Sequence, residues 1–494
     1  MNREFVSYLD FGAKGDGVTK DFFAIKAAHE YANETGLPVR AGAQRSFLIS
    51  DTEIDGVASS IVIKTDTDFC GSAIIIDDTD ISYREDEKSE RCARVTPIFS
   101  VESKYLPTKV DKRYIDAINK GGGISRTDTK SLEVGLPYAA MLTVTNENER
   151  VFVRYGGNED AGVFKEELVL VDGDGNIDAS TPWLFDYGSV TEITAYRIDE
   201  PTLLIENAYV LTRSSQVNLV DKYAEINRGF LVKRPNTHIR NIEHRVINEI
   251  YKGEIKDGVP FIGHSYYGII NVQKTHNVLI ENVVFQARVY YLQGTYDLIA
   301  ETVNSLTLKN CSQNNFFSHE NPQRPLEPSF GKWWGVAGTN YCKNLVYDGC
   351  KLTRYDAHRG VVNGAIRNSE VSSIRLTGGG DMIIENTKIY QNCYSTLQLR
   401  EDFGSTFRGT LTVKDSEFID AAGAHSAFMV SVSANWNYGY KTYFPNIVID
   451  NVKVRSDIRT LPLLHEFPME INKHGYFYRS VREHGFIQNR TTTR

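Results

Sequence analysis

One short phrase recurs eight times in the second half of this chain: a run of β-formers, then Asn, Asp or Gly, then a second β run. The copies are His238-Ile-Arg-Asn241, Leu279-Ile-Glu-Asn282, Leu306-Thr-Leu-Lys-Asn310, Leu345-Val-Tyr-Asp-Gly349, Ala365-Ile-Arg-Asn368, Met382-Ile-Ile-Glu-Asn386, Leu411-Thr-Val-Lys-Asp415 and Ile447-Val-Ile-Asp-Asn451. Between turn residues the spacings are 41, 28, 39, 19, 18, 29 and 36. A period of roughly 20 to 40 residues made only of strand and turn marks a solenoid. Asn suits the turn because it tolerates the left-handed backbone that β-branched neighbours refuse. A stack of β coils lines up one residue per coil, roughly 4.8 Å apart, on a long side wall. Such a wall suits a long polymer.

Composition removes several classes. The net charge of −8 argues against a nucleic-acid partner, which needs a basic face. No run of about 18 apolar residues exists, so no membrane partner is expected. The six cysteines (Cys70, Cys92, Cys311, Cys342, Cys350, Cys393) contain no C-x-x-C and no Cys/His cluster, so no metal site is expected. Cys311 and Cys350 each follow the turn residue of their coil and read as small buried hydrophobes of one inward column, not as a disulfide. The chain holds 27 Tyr, 24 Phe and 4 Trp, and those not in the core are available to stack on sugar rings.

The N-terminus reads Asp10-Phe-Gly-Ala-Lys-Gly-Asp-Gly-Val-Thr-Lys-Asp21, followed by a helical pattern to about Thr35 with apolar Phe22, Ile25, Ala28 and Ala32. Thr19 or Asp21 is placed to cap its start and Gly36 its end, and Pro38 blocks continuation. The Gly12–Gly17 run is not a phosphate loop, because no Gly-Lys-Ser/Thr closes it. This segment closely resembles the N-terminal cap of the pectate lyase superfamily. The resemblance covers about 35 residues. It implies an all-β, right-handed parallel β-helix with an N-terminal capping helix, and glycan binding; members include polygalacturonases, other glycan-cleaving enzymes and phage tailspikes. It does not settle the reaction. The polygalacturonase catalytic pattern is absent, His358-Arg-Gly360 being a faint echo, so that family's catalytic residues are not carried over.

Four stretches are expected: cap and first coils at 1–100, an inserted or flanking β-rich segment at 101–229, the regular solenoid at 230–460, and a basic tail at 461–494 packing on the coils or a neighbouring subunit. Asp172-Gly-Asp-Gly-Asn176 has half a calcium loop without its distal Glu and reads as a solvated hairpin turn. Met1 leads almost at once into domain sequence without a signal peptide, and an extracellular or phage-particle location is expected. A homo-oligomer is compatible, a trimer if tailspike-like, though no heptad signals one.

Loops on a rigid scaffold usually carry function. The densest patch is Arg354-Tyr355-Asp356-Ala-His358-Arg359, read as a turn. Next is Gln398-Leu-Arg400-Glu401-Asp402, where alternation sends Gln398 and Arg400 opposite to Leu397 and Leu399. Glycoside hydrolysis uses two carboxyl groups, so Asp356 with Glu401 or Asp402 is the expected catalytic pair. His358 is placed to relay the proton. Arg354, Tyr355, Arg359, Gln398 and Arg400 are expected to bind substrate, with His264, Tyr266, Tyr267, Trp333 and Trp334 on the same wall. Lesser candidates are Arg288, His319, Glu320, Trp436, Tyr438 and Tyr440.

The expected function is polysaccharide degradation along the side of the helix. Hydrolysis is favoured because three carboxylates cluster near the patch. The alternatives are β-elimination on a uronate polymer by His358 or Tyr355 with the arginines, and a non-catalytic glycan-binding adhesin or phage tail component. No cofactor is expected; calcium would enter only with a lyase, and nothing in the sequence supports it.

Overall fold

A computed structural model describes residues 4–50, 52–54, 57–82, 84–85, 91–94, 96–128, 131–152, 162–218, 223–250, 255–256, 258–260, 264–286, 296–313, 336–391, 395–399, 407–420, 428–431, 443, 445–455 and 481–484. Among them the coils form one continuous parallel sheet system, a parallel β-helix. Each coil lays down three walls. The first precedes the Asn turn, the second follows it, and the third returns the chain to the first wall of the next coil.

All eight turn residues read from the repeat adopt left-handed backbone, with φ from 47 to 66°. Their side chains join into a ladder. Asn241 Nδ2 donates to Asn207 Oδ1 at 3.1 Å, Asn282 to Asn241 at 3.3 Å, Asn386 to Asn368 at 2.8 Å and Asn451 to Asp415 at 2.6 Å. A second ladder at the corner from third to first wall was not read from the sequence. There Asn277 donates to Asn236 at 2.7 Å and Asn344 to Asn304 at 2.8 Å.

The first wall shows what stacking does. Its inward column runs Ile239, Ile280, Leu308, Tyr347, Ile366, Ile384, Val413, Ile449, each in register with the next and fully buried. One residue on, the outward column runs Glu206, Arg240, Glu281, Lys309, Asp348, Arg367, Glu385, Lys414, Asp450, so the sign alternates at every coil. Across the Asn corner, the second wall repeats this in opposite phase with Lys351, Glu370, Lys388, Glu417 and Lys453. Each buried aliphatic contributes about 1.5–3 kcal/mol, against roughly 0–1 for an exposed ion pair. The core therefore supplies stability, and the charges supply register: a coil paired out of order meets its own sign.

The cap contains a helix, α1 (Phe22–Thr35), that buries Phe22, Ile25, Ala28 and Ala32 together with His29, and ends at Gly36 (φ 75°). Asp21 precedes α1, but its carboxylate makes no cap bond. It accepts from the Lys14 and Gly15 amides at 2.7 and 3.1 Å and so fixes the Gly-rich turn. Asn33 protects the open edge of the first coil. Its Nδ2 donates to Val62 O at 2.8 Å and its Oδ1 accepts from Lys64 N at 2.9 Å, as a neighbouring strand would.

A four-stranded antiparallel sheet (Thr108–Lys109, Glu192–Arg197, Ala140–Val151, Val163–Val171) interrupts the coils and carries a second helix, α2 (Lys112–Lys120). It has its own core around Leu142, Val144, Val169, Trp183 and Ile193. Coils resume with Leu203–Arg213, which pairs with Thr67–Asp77 on one side and Thr237–Ile247 on the other. The coils thus restart before residue 230, because Leu203–Arg213 already carries the inward alternation of a wall strand. Asp172 closes the expected hairpin turn, accepting from the Asp174 and Asn176 amides at 2.9 and 2.8 Å. No described helix is long and apolar enough to cross a membrane.

The ladder separates two contributions in a single experiment. Asn386→Ala places a Cβ-bearing residue without the amide at φ 47° and should cost about 2 kcal/mol. Asn386→Gly should cost about 1 kcal/mol, since only the amide bond is lost and Gly349 occupies an equivalent corner at φ 66°. Denaturation of the two variants checks the order.

Candidate functional site

The insertion is locked against the coils by a buried charge. Lys343 Nζ bonds Glu167 Oε2 at 2.9 Å and Pro182 O at 2.7 Å, with both side chains almost fully buried. Glu167 also accepts from the Leu184 and Phe185 amides at 2.9 and 3.1 Å, which ties down the strap after residue 180. The second Asn ladder docks here too, Asn344 Nδ2 donating to Ser180 O at 2.9 Å. Tyr341 packs on Phe152, ring centroids 6.0 Å apart.

This docking closes a seam between strand Val163–Val171 and the end of the third wall. Gln273, Glu301, Asn340 and Arg359 follow one another there in register over four coils. Glu166 faces them from the insertion, accepting from Thr302 Oγ1 at 3.4 Å and Thr145 Oγ1 at 3.1 Å. Burial raises the pKa of Glu301, and the Glu166 charge raises it further, against the pull of Lys274 and Arg359. Burial likewise raises Tyr196, with Lys274 pulling it down. Lys274 holds a left-handed φ of 47°, as do its register successors Thr302, Tyr341 and Gly360 at 54, 54 and 68°, so it sits at a further corner of the coils. Beside the group opens a cavity of about 500 Å³ lined by Tyr105, Tyr196, Arg197, Lys233, Lys274 and His276. The Arg197 guanidinium lies 4.1 Å from the Tyr105 ring centroid. Two carboxyl groups in unlike surroundings, with cations and tyrosines alongside, can divide acid and base roles.

The residues expected from the sequence fall differently. Arg354–Arg359 is not a turn but part of the strand Lys351–Arg359. Tyr355 is a correction: its ring sits in the core against Tyr347, centroids 5.0 Å apart, and not on the exposed wall. Asp356 is corrected as well. It has no exposed surface and is ion-paired with Arg354 at 2.8 Å, so this carboxylate balances a charge and does not face a polymer. Arg354 serves the same pair. Tyr266 is buried against Ile226, its hydroxyl accepting from Ser215 N, and is also withdrawn from the exposed wall. His358, Arg359 and Tyr267 are half-buried. Gln398 is half-buried opposite the buried Leu397 and Leu399, and it shares a register column with Asp356 through Arg375, a residue the sequence did not single out. His264 begins the strand His264–Glu281. Trp333, Trp334, Arg400, Glu401 and Asp402 lie outside the described residues, as do Arg288, His319, Glu320, Trp436, Tyr438 and Tyr440.

Sequence reasoning missed Glu166, Glu301, Tyr196 and Lys274. The available signal was Glu301 itself, a charged residue directly after the buried run Leu298-Ile-Ala300. No family model and no curated protein matches the sequence. Solved structures do. A tailspike of Pseudomonas phage phi297 gives a TM-score of 0.46 at 11% identity, over 94% of this chain and 81% of that one. The tailspike of Pseudomonas phage LKA1 gives 0.43 at 12% identity, over 94% and 81%. A mutant tailspike of E. coli bacteriophage HK620, in complex with a pentasaccharide, gives 0.44 at 10% identity, over 97% of this chain and 65% of that one.

The anchor makes its own prediction. Lys343→Ala leaves Glu167 buried without its cation and should cost about 3–5 kcal/mol. Amide exchange at Leu184 and Phe185 should quicken, while amides of the inward column near Ile384 stay protected. Combining Lys343→Met with Glu167→Gln should recover part of the loss, because the amide oxygen still accepts from the strap amides while no buried charge is left unpaired.

Proposed function

We propose that this protein binds a polysaccharide along the seam and cleaves it by glycoside hydrolysis, with Glu301 as proton donor and Glu166 as the second carboxyl group. The observation that carries the reading is the pairing itself: a half-buried carboxyl group with a raised pKa beside a second carboxylate, next to the cavity of about 500 Å³ that Lys274 and Tyr196 line. The polymer class rests on the resemblance of Asp10–Asp21 to the glycan-active superfamily and on the stacked architecture of the wall. Tyr105 and Tyr196 offer ring faces to sugars, and Arg359, Arg375 and Gln398 extend a polar path along the third wall. The location that goes with this reading is outside a cell or on a phage particle.

Protonating the leaving oxygen requires Glu301 in its neutral form. Burial favours that form, so Glu301 stays protonated to higher pH than an exposed glutamate. Stability follows the same sign. A carboxyl group with a raised folded pKa favours the fold at low pH, and the contribution is lost as pH rises through the raised value.

β-Elimination is the second reading, favoured by the placement of Tyr196 beside Lys274; burial raises the Tyr196 pKa, and the cation offsets only part of that rise. The products separate the two reactions. Elimination creates an unsaturated uronate with new ultraviolet absorbance, and hydrolysis yields reducing ends without it.

Glu301→Gln should lower kcat about 100-fold or more with glycan retention preserved, and Glu166→Gln should do the same. In the wild type the alkaline limb of the rate profile should lie above the ordinary glutamate range. Full activity in both variants would remove the pair from the reaction. Retention of glycan without any product, across a broad panel, would make the protein a binder.

A further inference from the structure

We propose that Cys311 and Cys350 are an oxidation site, closing to a disulfide between adjacent coils when the folded protein meets a peroxide. The register sets the two thiols opposite each other. Lys309 pairs with Asp348 and Ser312 with Lys351, so Cys311 and Cys350 face across the same rung, and Lys351 N donates to Cys311 O at 2.8 Å. Neighbouring residues on stacked strands lie roughly 4.8 Å apart, inside the roughly 4.4–6.8 Å that a disulfide spans between Cα atoms. Both side chains point inward and are buried. Each thiol's acidity answers first to the other, Cys311 being raised and Cys350 lowered.

The same rung shows that the fold does not need sulfur there. In later coils the position holds Ser369, Thr387 and Ser416, whose hydroxyls donate to the carbonyls of Arg367, Glu385 and Lys414 at 2.5, 2.9 and 2.7 Å. Cys311 and Cys350 make the same contact to Lys309 O and Asp348 O, at the longer 3.4 and 3.5 Å of a weak thiol donor. Cys342 is equally buried, but its register neighbours are Val303 and Val361, so it has no facing thiol.

The chemistry balances with one peroxide. The Cys350 thiolate attacks hydrogen peroxide, the O–O bond breaks, and the departing hydroxide takes a proton to become water. The sulfur is left as a sulfenic acid. The Cys311 sulfur then attacks it, the S–O bond breaks, and a second water leaves with the Cys311 proton. Two thiols are oxidised and one peroxide is reduced to two waters. A water-sized oxidant suits a buried pair. The bond would close a loop of 39 residues between two coils that are otherwise joined there by non-covalent contacts.

Full-length native protein is treated with hydrogen peroxide, quenched, denatured, and analysed by thiol titration and peptide mass. The expected result is loss of two thiols, a peptide pair linking Cys311 to Cys350 and lighter by two hydrogens, and reversal by dithiothreitol. Tm should rise by a few degrees on oxidation and fall back on reduction. Cys350→Ser should fold, since Ser369 and Ser416 fill the equivalent position, and should show neither the link nor the Tm shift. Thiols that stay unreacted at peroxide doses that convert the methionines to sulfoxide would overturn the proposal. So would recovery of Cys311 and Cys350 as separate sulfinic acids.

Discussion

The left-handed corner is the constraint on which this molecule rests. A β coil must turn sharply at each wall boundary, and most side chains resist the φ of about 50° that the turn requires. Asn accepts that backbone, and its amide then bonds the amide of the coil below. One residue thus meets the local steric demand and the stacking demand together. Gly349 meets only the first, and Asp415 keeps both because its carboxylate accepts from Asn451. The ladder fixes which residue of each coil lies over which, and every column on the walls inherits that alignment.

Alignment explains the alternating charges. A solenoid of near-identical coils has many nearly equivalent mispairings, and its apolar interior does little to tell one coil from another. The outward column from Glu206 to Asp450 changes sign at each step, and the second wall carries the opposite phase across the corner. Skipping a coil would bring Glu281 over Asp348, or Arg367 over Lys414. Exposed pairs add little to stability, yet summed over nine coils they penalise the wrong order, as cross-strand like charges do in any sheet.

The architecture was legible because it is periodic and local. The eight corners, the inward leucines of Gln398's strand and the capping helix all follow from neighbours in sequence. The site was not legible, because it is assembled by docking. Glu166 and Glu301 are brought together only when the insertion closes on the third wall, and nothing near either residue announces the other. The Arg354–Arg359 cluster misled for a related reason. Its charge density favours a loop, whereas the strand buries Asp356 with Arg354 and sends Tyr355 into the core. Only the partner of a charge distinguishes a site from an internal ion pair, and that partner is set by tertiary packing.

The same docking couples structure to chemistry. Glu166 and Glu167 are consecutive on an edge strand, so their side chains leave in opposite directions. Glu167 spends its charge on Lys343, buried beneath the strap, and Glu166 reaches Thr302 at the seam. Thr302 is the residue after Glu301, so the anchor and the candidate carboxylates are linked through a few bonds of one strand on each side. A carboxylate pair divides acid and base roles only while its separation is held. The buried Lys343–Glu167 pair is a poor source of stability, since well-packed apolar residues can replace such pairs without loss. Its value lies in position: a charge that can be satisfied at one place alone fixes where the insertion sits, and with it how close Glu166 stands to Glu301.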